Sequence, residues 1–214
     1  AYIDLLREAH LVGNIAQNTV KIWQDMGLDA FWWSVGYEDV ADVAQEVPEH
    51  DVLFLGNGYS PERLGLVKFL GTLPIKLGIY GKYPADIPVS GFSEYDFSTN
   101  KALMQRATVT ISDCQWKDAP GSISNRLVQA LYSGACVLQE YSPWLEDLFG
   151  YQDGVHLLFW KDYTELANLI QRCMTDPLLV EVIREHGQQF VMEKHNFNEK
   201  AKIFVAELEK RKVL

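Results

Sequence analysis

Short apolar runs alternate with longer amphipathic segments from about residue 51 to the end of the chain. The apolar runs have the length of buried strands, whereas the longer segments repeat apolar residues at i, i+3 and i+4, as one face of a helix does. Strands that alternate with helices pair in parallel through right-handed crossovers. The pattern therefore predicts an α/β fold with an open, doubly wound parallel sheet.

Five strands and six helices are predicted in this part of the chain. Ser98 and Thr164 are candidate starts of capped helices, and Gly134 is a candidate helix stop. The strands are expected at residues 51–56, 75–81, 107–112, 135–140 and 155–160. The helices are expected at residues 62–73, 97–106, 123–134, 163–174, 176–195 and 198–212.

The first 48 residues have a different pattern of apolar and polar positions. Two strand-like runs, 9–14 and 30–35, flank one amphipathic segment, 15–27. One strand-helix-strand unit is too little for a domain of its own. We interpret it as the end of a preceding α/β domain, truncated or minimal, and expect a missing N-terminal domain or a partner subunit to complete it.

Composition and charge narrow the classes of function. The chain has 214 residues, of which 48% are hydrophobic, and this is enough to bury a sizeable core. Its formal net charge of -10 argues against nucleic acid as a partner, because binding to a phosphate backbone needs a basic surface. A local basic pocket for one small anion remains open. No apolar run approaches the roughly 18 residues of a membrane span, and no signal peptide is recognisable, so a cytoplasmic protein is expected.

Cysteine and histidine give no sign of a metal centre. The three cysteines have no paired spacing and stand in apolar surroundings, so we expect reduced core residues. The five histidines fall in separate contexts. No metal site is predicted. Asp113 and Asp118 are read either as acids of a pocket or, more simply, as caps within their loop.

Glycines and basic residues follow the first two predicted strands of the sheet. Gly56 and Asn57 come directly after the first strand, with Arg63 in the first turn of the next helix, and Gly81 and Lys82 come after the second strand. Backbone amides at such a turn can surround a phosphate, and a guanidinium adds a charge-assisted contact. Either loop alone is equally well an ordinary turn. Two in succession would face the same crevice, which favours an anion site.

The connection after the third predicted strand, 112–126, is long for a loop of this kind and rich in Asp, Gly, Pro and Ser. It brings Ser124, Asn125 and Arg126 to the start of a helix, with Gln129 one turn further. Amides and a guanidinium at that place can bind a diphosphate, and Gln129 can reach a ribose hydroxyl. A capped helix with a solvated arginine is the simpler interpretation of this stretch taken by itself.

In their order, these motifs resemble the C-terminal half of GT-B glycosyltransferases, in particular the spore-maturation-protein-like (CgeB-like) group of the glycosyl transferases group 1 family. The similar stretches are "DVLFLGNGYSPER", "KLGIYGK" and "SNRLVQALYSGACVLQEYSPWLEDLF", and the similarity extends from about Val35 to Phe204. It implies metal-independent hexosyl or pentosyl transfer, without a cofactor, from a UDP-, GDP- or other nucleoside-diphosphate sugar to an unknown acceptor.

The resemblance also implies a role for each matched residue and for each part of the chain. Gly56, Asn57, Arg63, Gly81 and Lys82 match the two glycine loops, and Ser124, Asn125 and Arg126 match positions near the phosphates. Gln129 stands where many relatives have a ribose-binding Glu, and position 121 is Gly where the wider retaining group has another Glu. The implied division is an acceptor-side remnant at 1–48, a Rossmann-like nucleotide-sugar-binding domain at 49–195 with the sheet of a GT-B C-terminal domain, and a C-terminal helix at 196–214 that returns toward the N-terminal part.

Three other functions compete with this reading. A catalytically inactive nucleotide- or nucleotide-sugar-binding or interaction module, completed by a partner, fits the two positions that lack Glu. A phage-type glycosyltransferase of modified DNA bases fits the fold but not the net charge of -10. A nicotinamide-dependent oxidoreductase is the weakest of the three, because the dinucleotide fingerprint is missing.

Overall fold

The computed structural model describes residues 6–9, 11–14, 16–37, 48–91, 97–114 and 119–212. The strands are β1 (Val12–Asn14), β2 (Ala30–Trp32), β3 (His50–Leu55), β4 (Leu77–Tyr80), β5 (Ala107–Ser112), β6 (Val137–Glu140) and β7 (Leu158–Trp160). The helices are α1 (Gln17–Asp25), α2 (Pro61–Leu70), α3 (Phe97–Gln105), α4 (Asn125–Tyr132), α5 (Pro143–Asp147), α6 (Tyr163–Thr175), α7 (Pro177–Lys194) and α8 (Phe197–Lys210).

Five strands form one sheet in the order β4-β3-β5-β6-β7, and every neighbouring pair is parallel. This arrangement confirms the predicted Rossmann-like parallel sheet. A separate two-stranded parallel sheet pairs β1 with β2, as expected for the short N-terminal unit. Within the described residues, no helix is both long and apolar enough to cross a membrane.

Helices cover both faces of the large sheet. Along β3, Leu53 and Leu55 pack in the layer that contains α3 and α4, whereas Val52 and Phe54 pack in the layer that contains α2, α6 and α7. A strand that is buried on both faces has no polar side to alternate with. This is why the strands appear in the sequence as continuous apolar runs.

Capping residues in the sequence predict helix ends, and the structure corrects two of these predictions. The start of α6 is capped by Asp162, whose side chain accepts a hydrogen bond from the backbone N–H of Glu165, so the expected cap at Thr164 is wrong. Ser98 lies inside the first turn of α3 rather than before it. Gly134 follows α4 with φ +72°, a conformation that favours glycine, and it ends the helix as predicted. The short helix α5 was not predicted.

The N-terminal unit contacts the rest of the described structure at several places, among them the loop before α4 and helix α8. The Trp32 indole N–H donates to the carbonyl of Gly121 at 3.3 Å, in the loop before α4. At the other side, the ring of Phe204 in α8 packs against Phe31 and Trp33. The division of the chain into three parts stays a prediction, and residues 38–47, beside its first boundary, lie outside the described ranges.

Candidate functional site

The strand order of the large sheet reverses between β3 and β5. From β3 the chain first crosses to β4 on one side, and it then returns to add β5 on the other side. The loops that leave β3 and β5 therefore diverge, and the gap between them at the carboxyl ends of the strands is where sheets of this type bind ligands. Gly56 directly follows β3, and Asp113 directly follows β5.

The two predicted glycine loops are joined by hydrogen bonds. Beyond the strand ends, the backbone N–H of Gly56 donates to the carbonyl of Tyr80 at 2.9 Å, and that of Gly58 donates to the carbonyl of Lys82 at 2.9 Å. The backbone N–H of Lys82 in turn donates to the Asn57 side-chain Oδ1 at 2.7 Å. The loops after β3 and β4 thus form one continuous wall of the crevice.

Close approach of the backbone explains both glycines. Gly81 has φ +153°, and a Cβ built on it would lie 1.9 Å from the carbonyl oxygen of Gly56, so no other residue fits. Gly56 has the same φ, and a Cβ there would lie 2.6 Å from Nη2 of Arg126. The guanidinium of Arg126 therefore lies directly against the Gly56 backbone.

Two arginines share one carboxylate at the bottom of this crevice. Arg63 donates to Asp113 through Nε at 2.7 Å and through Nη2 at 3.0 Å. Arg126 donates through Nη1 to Oδ1 of the same carboxylate at 2.6 Å. The Nη1 of Arg63 also donates to the carbonyl of Asn57 at 2.9 Å, which ties the cluster to the first glycine loop. We call Arg63, Asp113 and Arg126 the arginine cluster.

The arginine cluster carries one net positive charge in a partly desolvated place. Arg63 is only 4% exposed and Asp113 10%, whereas Arg126 is 17% exposed. Burial opposes the ionisation of Asp113, but the guanidiniums of Arg126 and Arg63 outweigh it and hold the pKa of this carboxyl below its ordinary value. Burial lowers the pKa of Arg126, and Asp113 counteracts this. Guanidinium stays protonated in proteins, so all three groups are charged at neutral pH.

Seven of the nine predicted site residues border this crevice or cap the helix beside it. The side chain of Arg126 is more exposed than that of Arg63. Lys82 is exposed, and Ser124 caps α4 by accepting a hydrogen bond from the backbone N–H of Arg126 at 3.2 Å. The others that belong here are Gly56, Asn57 and Gly81.

The remaining two predicted residues lie along α4. Asn125 is the first residue of the helix and is exposed. Gln129 lies one turn further and is partly buried, and its backbone carbonyl accepts a hydrogen bond from the Ser133 hydroxyl. A ligand contact of each of the nine residues stays a prediction.

A cavity of about 180 Å³ adjoins the arginine cluster between the ends of β5 and β6 and the start of α4. Asp113 belongs to both, because it lines the cavity and binds both arginines. The other lining residues are Val35, Cys114, Ser122, Ile123, Ser124, Asn125, Leu127, Gln139 and Leu145.

The sequence allows Asp113 to be either an acid of a pocket or a cap within its loop. The structure shows that it is an acid of a pocket. The available signal was an acidic residue directly at the carboxyl end of a buried strand. Asp118, the other candidate acid, lies outside the described residues. Gln139 was not predicted, since it stands inside an apolar run. Among the described residues, no group of His, Cys, Asp and Glu side chains is placed to hold a metal ion.

Comparison with known proteins gives a family and a fold. The model of a family described as glycosyl transferase-like matches residues 40–206. No curated protein matches the sequence. Anabaena Alr3699/HepE, solved in complex with UDP and glucose, is 15% identical with a TM-score of 0.70, over 98% of this chain and 66% of that one.

Two further solved structures are similar. Sucrose-phosphate synthase from Thermosynechococcus elongatus is 14% identical with a TM-score of 0.66, over 98% of this chain and 60% of that one. A DNA-modifying β-glucosyltransferase is 11% identical with a TM-score of 0.67, over 94% of this chain and 66% of that one. The chain thus spans less than two thirds of each of the three. At these identities the likeness shows the fold alone, which is that of the GT-B glycosyltransferases.

Proposed function

Because the chain belongs to the glycosyl transferase-like family, we propose that it is the donor-binding part of a glycosyltransferase. In this proposal it binds a nucleoside-diphosphate sugar and takes part in transfer of the sugar to an acceptor, without a metal ion. The CgeB-like group is the subfamily that we infer from the motifs. Residues 49–195 would hold the donor, and residues 1–48 would belong to the acceptor side.

The observation that carries the proposal is the arginine cluster at the point where the strand order reverses. Its net positive charge suits a diphosphate, and Arg126 has the more exposed side chain of the two arginines. Arg63 fixes the Asp113 carboxylate, and that carboxylate binds Arg126, so we assign Arg63 a positioning role in addition to its positive charge. Gly56 and Gly81 allow the two loops and the Arg126 guanidinium to pack closely together, because a Cβ at either position would clash.

The chemistry follows from where negative charge develops during transfer. The bond between the anomeric carbon of the sugar and the diphosphate oxygen breaks, and the bonding electrons leave with the diphosphate. A guanidinium that is already oriented stabilises that charge without reorganising. Arg126, the amides at the start of α4 and the ammonium of Lys82 are the groups that we propose for this task, with Asn57 shaping the loop. Gln129 would bind the ribose through its amide.

The solved neighbours suggest which nucleotide to try first. Anabaena Alr3699/HepE has been solved with UDP and with UDP-glucose, and the β-glucosyltransferase has been solved with uridine diphosphoglucose. Since these proteins share only the fold with this chain, uridine nucleotides are the first ligands of the test. Modified DNA is a less favoured acceptor, because the net charge of -10 opposes approach to a polyanion.

One observation favours a second candidate, a binding module without turnover. Gly121 has φ +78°, and a Cβ built on it would lie 2.7 Å from Cγ of Gln17 and 2.9 Å from Nε1 of Trp32. The position at which the retaining relatives carry a Glu is therefore closed to any side chain in this structure. A chain that binds donor but neither transfers nor hydrolyses it would support this second candidate.

Calorimetric titration with a panel of nucleotides tests the proposed function. The panel contains UDP, GDP, their glucose, N-acetylglucosamine and mannose derivatives, and the nucleosides uridine and guanosine. We expect at least one diphosphate to bind more tightly than its nucleoside. If no nucleotide of the panel binds at millimolar concentration, the proposed function is wrong.

A further inference from the structure

Two polar side chains lie side by side near the carboxyl ends of neighbouring strands beneath α4. Ser112 is the last residue of β5, and its register partner in β6 is Gln139. Laterally paired residues of parallel strands point to the same face of the sheet, and here this is the face that packs against α3 and α4. Ser112 is 0% exposed and Gln139 2%. Both stand in a largely apolar layer, which also contains the buried Thr110 of β5.

Neither side chain has all of its hydrogen bonds within the described residues. The Gln139 Nε2 donates to the carbonyl of Glu140 at 2.8 Å, which fixes the orientation of the amide. Its Oε1 is buried and has no partner there, and the same holds for the Ser112 hydroxyl. A buried polar atom without a hydrogen-bond partner destabilises the fold, so a buried unpaired acceptor needs an explanation.

The cavity beside the arginine cluster explains why an acceptor can be left unpaired here. Gln139 lines it, and its volume of about 180 Å³ equals roughly six water molecules at about 30 Å³ each. Pockets that hold an entire drug-sized ligand measure about 300–1,000 Å³. The cavity therefore suits one small polar group rather than a nucleotide. Asp113 lines the same cavity and binds Arg126, so that group would adjoin a diphosphate held by Arg126.

We propose that this cavity receives the sugar of the donor, and that Gln139 is a specificity-determining residue whose Oε1 accepts a hydrogen bond from a sugar hydroxyl. The inference rests on the proposed function, because a diphosphate at Arg126 is what places the sugar here. The amide is oriented before the sugar arrives. A site with a fixed, buried acceptor rejects a sugar that lacks the matching hydroxyl, since the acceptor then stays unpaired.

The test compares a nucleoside diphosphate with its sugar derivative in two variants. The ligands are the diphosphate and the sugar nucleotide of the panel that bind the unaltered chain most tightly. Gln139→Met keeps the length of the side chain but removes the acceptor. Gln188→Met is the matched control, because Gln188 also donates its Nε2 to a backbone carbonyl at 2.8 Å, that of Tyr132, and does not line the cavity.

We expect Gln139→Met to weaken binding of the sugar nucleotide about three- to tenfold, the range of one lost hydrogen bond, with less than a twofold change for the diphosphate. Gln188→Met should change the two affinities equally. Deoxy analogues identify the hydroxyl: one of them should lose affinity for the unaltered chain and not for Gln139→Met. If Gln139→Met leaves the ratio of the two affinities unchanged while the diphosphate still binds, this inference is wrong and the proposed function stands.

Cys114 offers an independent readout of the same cavity. It lines the cavity and is partly exposed, whereas Cys136 and Cys173 are buried. The sugar nucleotide should slow alkylation of Cys114 by iodoacetamide more than the diphosphate does, and Gln139→Met should reduce that difference. Equal protection by the two ligands in the unaltered chain would place the sugar elsewhere and overturn the inference. If no nucleotide binds at all, the proposed function fails first.

Discussion

Arg63 donates two hydrogen bonds to Asp113, one from Nε to Oδ2 at 2.7 Å and one from Nη2 to Oδ1 at 3.0 Å. The two residues are 50 positions apart in the chain, and their pair joins the first turn of α2 to the end of β5. Because the pair lies across the gap where the strand order reverses, it closes the bottom of the crevice. Its bidentate geometry also fixes the carboxylate that Arg126 uses.

Replacing Arg63 by Met should destabilise the protein strongly. The change removes one partner of a buried ion pair and leaves Asp113 with a single guanidinium, which costs about 3 kcal/mol of unfolding free energy. Urea denaturation measures it. Lys68→Met is the control on the same helix, because Lys68 pairs with Asp86 at the surface, where such pairs contribute little. Equal effects of the two substitutions would contradict the structural role of Arg63.

Gly81→Ala should destabilise the protein more than replacement of a glycine with positive φ normally does. The new Cβ would meet the Gly56 carbonyl, so the substitution adds a backbone clash to the strain of φ +153°, together about 3 kcal/mol. Gly154→Ala is the control, with φ +71° and no atom within 4 Å of the new Cβ. Urea denaturation of both variants should separate the two costs. A Gly81→Ala variant as stable as Gly154→Ala would show that the loops are not packed as described.

Stability should fall between about pH 6.5 and pH 4 because of His195. Burial lowers the pKa of this histidine from 6.5 to about 4, although a hydrogen bond with the Val35 carbonyl acts in the opposite direction. Over this range the unfolded chain takes up a proton that the folded chain does not, so the free energy of unfolding decreases as the pH falls. A shift of this size amounts to about 3 kcal/mol.

The measurement for His195 is urea denaturation at a series of pH values in the unaltered chain and in His195→Gln. The other titrating groups are common to both proteins, so their effect cancels in the difference between the two stabilities. That difference should decrease by about 3 kcal/mol from pH 6.5 to pH 4 and then stay constant. Two parallel pH profiles would show that His195 does not titrate in this way.

Much of the fold is predictable from the sequence because the strands are buried on both faces. The strand at 107–112 is observed at the predicted residues, since its apolar run has clear polar limits. The helix predicted at 123–134 is shorter, Asn125–Tyr132, because Ser124 caps it and Ser133 and Gly134 turn the chain at its end. The short helix α5 has too few residues to show a periodicity.

The site is less predictable, because its contacts join residues that are far apart in the chain. The motifs indicated Arg63 and Arg126 as separate basic residues, but nothing local shows that Asp113 binds both. That contact depends on the strand order, which periodicity does not determine. Gln139 is missed for a different reason: one polar residue in an apolar strand gives no local signal, and only its register with Ser112 and the cavity above it reveal the unpaired acceptor.

The most direct test of the diphosphate site is the effect of Arg126→Ala on the binding of UDP, GDP and their nucleosides, measured by calorimetry beside Arg172→Ala, an exposed arginine of α6. Loss of a charge-assisted contact should weaken diphosphate binding about 10- to 100-fold and leave nucleoside binding within about twofold. Arg172→Ala should change neither. Equal weakening of diphosphate and nucleoside, or no weakening of either, would contradict a diphosphate held by Arg126.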